Sequence, residues 1–112
     1  MKLINYAESS WLLGDEAADL LIEYSVIMAR GANADSVEVR ALDADGAPQT
    51  VSLLLGPATM MTSQVSDSTL PEPENSETIT DVRARIAAIL SPLPVLPVDQ
   101  SEAQSPVSDY EL

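Results

Sequence analysis

A continuous apolar stripe between residues 15 and 30 constrains the fold of this sequence more than any other feature. Its members recur at intervals of three and four residues, which is the spacing of one helix face. They are Ala17, Leu20, Leu21, Tyr24, Ile27 and Met28. Asp15 is expected to cap the first turn, and Gly31 is expected to follow the last. The pattern predicts an amphipathic helix with one face in a core.

Short segments on both sides of this helix have the composition of β-strands. Residues 2–6 and 11–13 are apolar runs separated by four polar or small residues, which predicts a first hairpin. Residues 36–41 and 50–55 predict a second hairpin, joined by a loop with an Asp-Gly turn signal. Residues 59–65 are a candidate fifth strand.

A second helical stripe precedes a change in composition. Asn75 or Ser76 is expected to cap a helix that runs to about Leu90. Its apolar members are Ile79, Val82, Ile86, Ile89 and Leu90. From Ser91 onward prolines recur, and the remaining charged residues are all acidic.

These elements predict one α+β domain over residues 1–90 and a Pro-rich acidic tail over residues 91–112. The expected architecture is a two-layer sandwich, in which two amphipathic helices cover a small antiparallel or mixed sheet. That sheet would consist of the two hairpins and the candidate fifth strand.

The charge balance excludes several classes of partner. The chain has 18 acidic and 5 basic residues and a formal charge of −13, which opposes binding to nucleic acid and to anionic membranes. The N-terminus lacks the pattern of a signal peptide, and no window is apolar enough to span a bilayer. We therefore expect a cytoplasmic protein. The excess of Arg over Lys, with abundant Ala and Asp, is typical of GC-rich bacterial genomes.

The side chains that most enzymes depend on are missing. The chain has no cysteine and no histidine, so no imidazole can activate a serine and no thiolate can bind zinc. Its four glycines do not form a phosphate-binding loop. The sequence thus predicts a protein that is not an enzyme and has no cofactor or metal. A hydrolase that uses carboxylates alone is the one enzymatic alternative.

Four carboxylates gather on one face of the first predicted helix. Asp15, Asp19 and Glu23 follow each other at intervals of four residues, and Glu16 lies beside them. No Lys or Arg stands four residues from any of them, so the helix itself does not neutralise the charge. A solvated outer face explains this pattern, and so does a docking face for a basic protein. The leading functional hypothesis is a non-enzymatic interaction or regulatory module that uses this face.

A short acidic loop supports the alternative of a domain that binds a cation or another small ligand. Residues 43–46 read Asp-Ala-Asp-Gly, which matches the core of a calcium loop. The other ligand positions of such a loop fall on Ala41 and Ser52, which cannot supply them. A hairpin turn accounts for the same residues, and we predict no metal site here.

An apolar surplus suggests a second contact surface. Residues 53–55 are three leucines without alternation, which is typical of a central strand or of one covered on both faces. The cover would be the Pro-rich segment 93–98 or a second copy of the chain, and burial inside the domain is the alternative reading. The predicted oligomer or tail-docking surface consists of Leu54, Met60, Met61, Leu93, Val95 and Leu96.

Overall fold

The computed structural model describes residues 1–91, which form a five-stranded antiparallel sheet and two α-helices. In chain order the elements are β1 (Lys2–Tyr6), β2 (Ser9–Leu13), α1 (Asp15–Arg30), β3 (Asp35–Leu42), β4 (Pro48–Leu55), β5 (Met61–Val65) and α2 (Ser76–Leu90). The strand order across the sheet is β4-β3-β2-β1-β5. The predicted α+β class is confirmed, and the segment 59–65 does contain a strand. Neither helix of residues 1–91 is long and apolar enough to cross a bilayer.

An aliphatic core joins α1, α2 and four of the five strands. Alternate residues of the strands enter it, as the burial of Val37, Val39 and Ala41 along β3 illustrates. The largest side chains that are fully buried are Tyr24, Ile4, Leu13, Leu21, Leu55, Val37 and Val82. From α2 only Val82 and Ile86 are buried, whereas Ile89 and Leu90 are largely exposed. The end of the second predicted stripe therefore lies outside the core.

The sheet is interrupted between β2 and β3, which pair only at Leu12 and Leu42. Along the rest of that edge of β3, side chains of α2 and its N-cap bond to the strand backbone. They join Asn75 to Arg40 (2.9 and 2.8 Å), Thr78 to Glu38 (3.0 Å) and Arg85 to Ser36 (2.9 Å). Since an unpaired strand edge must be covered or solvated, α2 takes the place that a longer β2 would fill.

A tyrosine on β1 bonds to β4, although β2 and β3 lie between these two strands in the sheet. The Tyr6 hydroxyl donates to the carbonyl oxygen of Leu54 on β4 (2.7 Å) and accepts from its N–H (3.2 Å). In a flat sheet β1 and β4 would be about 14 Å apart, because three strand spacings separate them. The bonds therefore require that the β3–β4 hairpin folds toward β1.

Several turns and helix ends differ from the sequence prediction in which residue occupies the special position. Gly14 is the N-cap of α1, and no side chain caps it. Asp15 lies in the first turn, where its carboxylate pairs with the N-terminal amino group at 3.3 Å, so the predicted Asp15 cap is wrong. The loop of the first hairpin is shorter than predicted, since β2 already starts at Ser9. The loop contains Ala7, which has a φ of 54°.

The C-terminus of α1 places an alanine where glycine is favoured. Gly31 has a φ of −88°, and it is Ala32 that has a φ of 54°. The amide of Ala32 donates to the carbonyl of Ala29, and that of Asn33 donates to the carbonyl of Met28. These are the two bonds of a Schellman motif, in which the left-handed residue is usually glycine. The prediction that Gly31 is this residue is one position off.

We expect Ala32→Gly to stabilise the protein by about 1 kcal/mol, because an L-residue with a side chain is strained in the left-handed region. For a domain of this size that shift raises Tm by about 4–8 °C. Ala29→Gly is the matched control, because Ala29 is exposed inside α1 and glycine there costs about 1 kcal/mol. Thermal unfolding that moves in the same direction for both variants would contradict the assignment of strain to Ala32.

Candidate interaction surfaces

The acidic face of α1, defined as Asp15, Glu16, Asp19 and Glu23, carries more compensating charge than the sequence indicated. Asp15 pairs with the N-terminal amino group, Asp19 with Lys2 at 2.5 Å, and Glu16 with Arg83. Among residues 1–91, Glu23 alone of the four has no ion-pair partner.

The tertiary structure brings these cations to the helix from distant parts of the chain. The N-terminal amine and Lys2 come from the start of β1, and Arg83 comes from α2. The spacing argument considered only cations within one helix turn and therefore missed all three. The three paired carboxylates keep between 50% and 67% of their side chains exposed. The face is acidic and accessible, but only partly uncompensated.

A polar cleft at the N-terminus of α2 forms a second concentration of carboxylates. It has a volume of about 400 Å³, and its walls include Glu38 from β3, Glu74 just before α2 and Glu77 in the first turn of α2. Arg40 lies in the same cleft. Glu38 is far from the other two in sequence, so only the docking of α2 along β3 brings these groups together. The sequence analysis did not identify this cleft.

A hydrogen-bonded network links α1, β3 and α2 beside the core. Tyr24 is almost fully buried as a residue. Its hydroxyl donates to the Asp35 carboxylate at 2.6 Å. Arg85 bonds to the same carboxylate oxygen at 2.9 Å and to Asp81 at 2.7 Å. The sequence assigned Tyr24 to the core but gave no signal that Asp35 and Arg85 would meet it.

The pKa directions in this network follow from its contacts. The hydrogen bond from Tyr24 is the main cause that lowers the pKa of Asp35, with further contributions from the Ser36 amide and Arg85. Burial is the main cause that raises the pKa of Tyr24. The network therefore holds a charged carboxylate next to a neutral phenol, an arrangement that stabilises the contact between the elements.

The acidic loop at residues 43–46 forms a hairpin turn. The Oδ1 atom of Asp43 accepts from the amides of Asp45 and Ala47, and Oδ2 accepts from the Gln49 side chain. The bond from the Ala47 amide is the main cause that lowers the pKa of Asp43. Gly46 has a φ of 79°, which explains the glycine. Within residues 1–91 no three acidic side chains are grouped to hold a metal ion.

The predicted apolar surface is partly assembled. Leu54 and Met60 line one depression of about 320 Å³ together with Tyr6, and they are 58% and 82% exposed. Met61 starts β5 and packs against the core. The other three predicted members, Leu93, Val95 and Leu96, lie outside the described residues.

The position of β4 corrects the reading of its three leucines. β4 is an edge strand, and only Leu53 and Leu55 are buried. Leu54 points to the opposite face, so the run alternates in the usual way. The sequence left two readings of residues 53–55 open, a central strand or one covered on both faces, and the central strand is wrong.

Comparisons with known proteins add no family to this description. No protein-family model matches the chain, and no curated protein or solved structure is significantly similar to it. The functional argument therefore depends on the surfaces described above.

Proposed function

We propose that this chain is a non-enzymatic interaction or regulatory module that binds a basic segment of another protein through the acidic face of α1. The observation that carries the proposal is the accessible row of carboxylates on one rigid helix of a chain with a charge of −13. A surface of one sign attracts a partner of the other sign and speeds their encounter. A cytoplasmic location is part of the proposal.

The ion pairs on this face leave it able to bind such a partner. Exposed pairs contribute only about 0–1 kcal/mol each, so Lys or Arg side chains of a partner can add to them or replace them. Glu23 offers a carboxylate that no cation of residues 1–91 engages. Its position two turns after Asp15 extends the acidic row along the helix.

Binding of a ten-residue oligolysine peptide tests this proposal. We expect Asp19→Asn combined with Glu23→Gln to raise Kd about three- to tenfold, because two attractive charges are lost at the contact. We also expect affinity to fall steeply between about 0.05 and 0.5 M salt as the charges are screened. Isothermal titration calorimetry measures both effects.

The matched control removes two charges elsewhere. Glu8 and Asp45 are exposed residues in the two hairpin turns, and neither forms an ion pair within residues 1–91. We expect Glu8→Gln combined with Asp45→Asn to leave Kd within about twofold of the wild-type value. Equal losses for the two double variants would mean that the peptide responds to net charge alone, and the α1 face would then be rejected as the site.

A further inference from the structure

Both free edges of the sheet lie in one uncharged stretch of the chain. Residues 47–66 contain no Asp, Glu, Lys or Arg, and they include the edge strands β4 and β5. Proteins commonly protect edge strands from pairing by charged residues or proline. In β5 neither is present. Val65 at the end of β5 and Met60 just before its start are the two most exposed large apolar side chains of residues 1–91, each 82% exposed.

The edge of β4 is partly closed from within the molecule. The backbone groups of Leu54 that point away from β3 bond to the hydroxyl of Tyr6, and the hydroxyl of Thr59 donates to the same carbonyl. Pro48, which has no N–H, begins the strand. The open edge is therefore that of β5.

The register of β5 identifies which backbone groups face outward. Just beyond the strand, the Ser66 amide donates to the Met1 carbonyl at 3.0 Å, in line with the pairing of β5 and β1. Backbone groups alternate in direction along a strand, so those of Met61, Ser63 and Val65 point away from β1. No hydrogen bond within residues 1–91 engages them.

We propose that a second copy of this chain occupies the edge, with the two β5 strands antiparallel about a two-fold axis at Ser63. In this register Ser63 faces Ser63, and Met61 faces Val65 of the second copy. Each such pair exchanges two backbone bonds, which gives about six across the junction. At each end of the junction, Met61 of one copy then lies beside Val65 of the other. The result is one sheet of ten strands, five from each copy.

Charge and symmetry favour a second copy over an unrelated strand. Two molecules of charge −13 repel each other over most of their surfaces, and the uncharged edge is a place where they can approach closely. Antiparallel pairing of identical strands has two-fold symmetry, and the resulting register is self-complementary. Because five residues form a small contact, we expect Kd between about 1 µM and 1 mM.

Sedimentation velocity of the full chain tests the proposal over about 1 µM to 1 mM protein. We expect reversible association from 11.9 kDa to twice that mass. Ser63→Pro removes an outward N–H, and Val65→Glu adds charge at the junction, so both variants are expected to stay at 11.9 kDa. Circular dichroism and thermal unfolding confirm that each variant remains folded.

The matched controls carry the same replacements on the other edge strand. Ser52 is exposed on β4, two residues before Leu54, so its amide also points away from the sheet. Ser52→Pro and Ser52→Glu are expected to associate like the wild type. The proposal would be overturned by a wild-type chain that is monomeric at every concentration. It would also be overturned if Ser52→Pro abolished association and Ser63→Pro preserved it.

Salt separates this contact from the docking of a basic partner. Screening weakens repulsion between two acidic copies, so we expect dimerisation to strengthen as salt rises, whereas binding to oligolysine weakens. The two proposals can therefore fail independently.

Discussion

Asn75→Ala is expected to lower the free energy of unfolding by about 2–4 kcal/mol. The Asn75 side-chain oxygen accepts from the Arg40 amide at 2.9 Å, and its NH₂ group donates to the Arg40 carbonyl at 2.8 Å. Asn75 is 6% exposed and is the one buried polar residue among residues 1–91. Alanine would remove two hydrogen bonds to partly buried backbone groups of β3, and each such bond contributes about 1–2 kcal/mol. Urea unfolding followed by circular dichroism measures the loss.

Two variants make this result specific to the contact with β3. Ser76→Ala changes an exposed residue at the same helix end, and we expect a shift within about 0.5 kcal/mol. Asn75→Asp keeps the acceptor but loses the donor, so at neutral pH it should be at least as damaging as Asn75→Ala. Below about pH 4 it should recover in part, because a protonated carboxyl group can donate to the Arg40 carbonyl. If Asn75→Ala were as mild as Ser76→Ala, the covering role of α2 would have to be abandoned.

The helices and hairpins were predictable because their signals are local. The stripe of α1 and the alternation of β3 depend on residues within one or two turns of each other, and both elements lie within about two residues of the predicted bounds. An N-cap at Asn75 or Ser76 was also predicted, and Asn75 is the N-cap, although its side chain makes no capping bond. The hydrogen bonds of the Asn75 side chain were not predicted, because they join it to a strand residue 35 positions away. A favourable capping residue and a cross-fold contact look identical in the sequence.

The arrangement of the elements depends on contacts that the sequence does not display. Three leucines in a row indicated a central strand or one covered on both faces, yet β4 lies at an edge, where Tyr6 from β1 bonds to it. The carboxylates on the acidic face of α1 are exposed, but tertiary structure brings their cations from Lys2, Arg83 and the N-terminus. Local patterns therefore indicated the carboxylate row of α1, whereas strand order and ion pairing required the structure.

Asp35→Ala is expected to have the second large effect, a decrease of about 2–3 kcal/mol in the free energy of unfolding at pH 7. Its carboxylate accepts from the Tyr24 hydroxyl, from the Arg85 guanidinium and from the Ser36 amide. Alanine would leave the partly buried Tyr24 hydroxyl without its acceptor and would remove one of the two bonds from Arg85 to the start of β3. Losing the acceptor of a buried donor costs about 1–3 kcal/mol, and bonds to charged groups are the stronger ones. Asp45→Ala, at an exposed turn residue, is the control and should change stability by less than about 0.5 kcal/mol.

The pH dependence of the same variant distinguishes a charged network from simple packing. The pKa of Asp35 is lowered from its usual value of 3.8, mainly by the bond from Tyr24. Its stabilising contribution is therefore present above about pH 4 and is lost as pH falls through the lower, folded-state pKa. The difference between wild type and Asp35→Ala should be constant near neutrality and should shrink in acid. A difference that stays constant down to about pH 2 would show that the carboxylate charge contributes nothing.

The stability at alkaline pH tests the contribution of Tyr24 independently. Burial raises the pKa of Tyr24 above its usual value of 10.0, so its contribution is present below about pH 10 and is lost as pH rises through the folded-state pKa. We expect Tyr24→Phe to remove this alkaline loss, although it costs about 1–2 kcal/mol at pH 7 because Asp35 loses a donor. Tyr6→Phe is the matched control, since its hydroxyl bonds to the Leu54 backbone and to no carboxylate within residues 1–91. If the loss of stability in acid depends on Asp35 and the loss in alkali depends on Tyr24, the bond between these two groups stabilises the contact of α1 with β3.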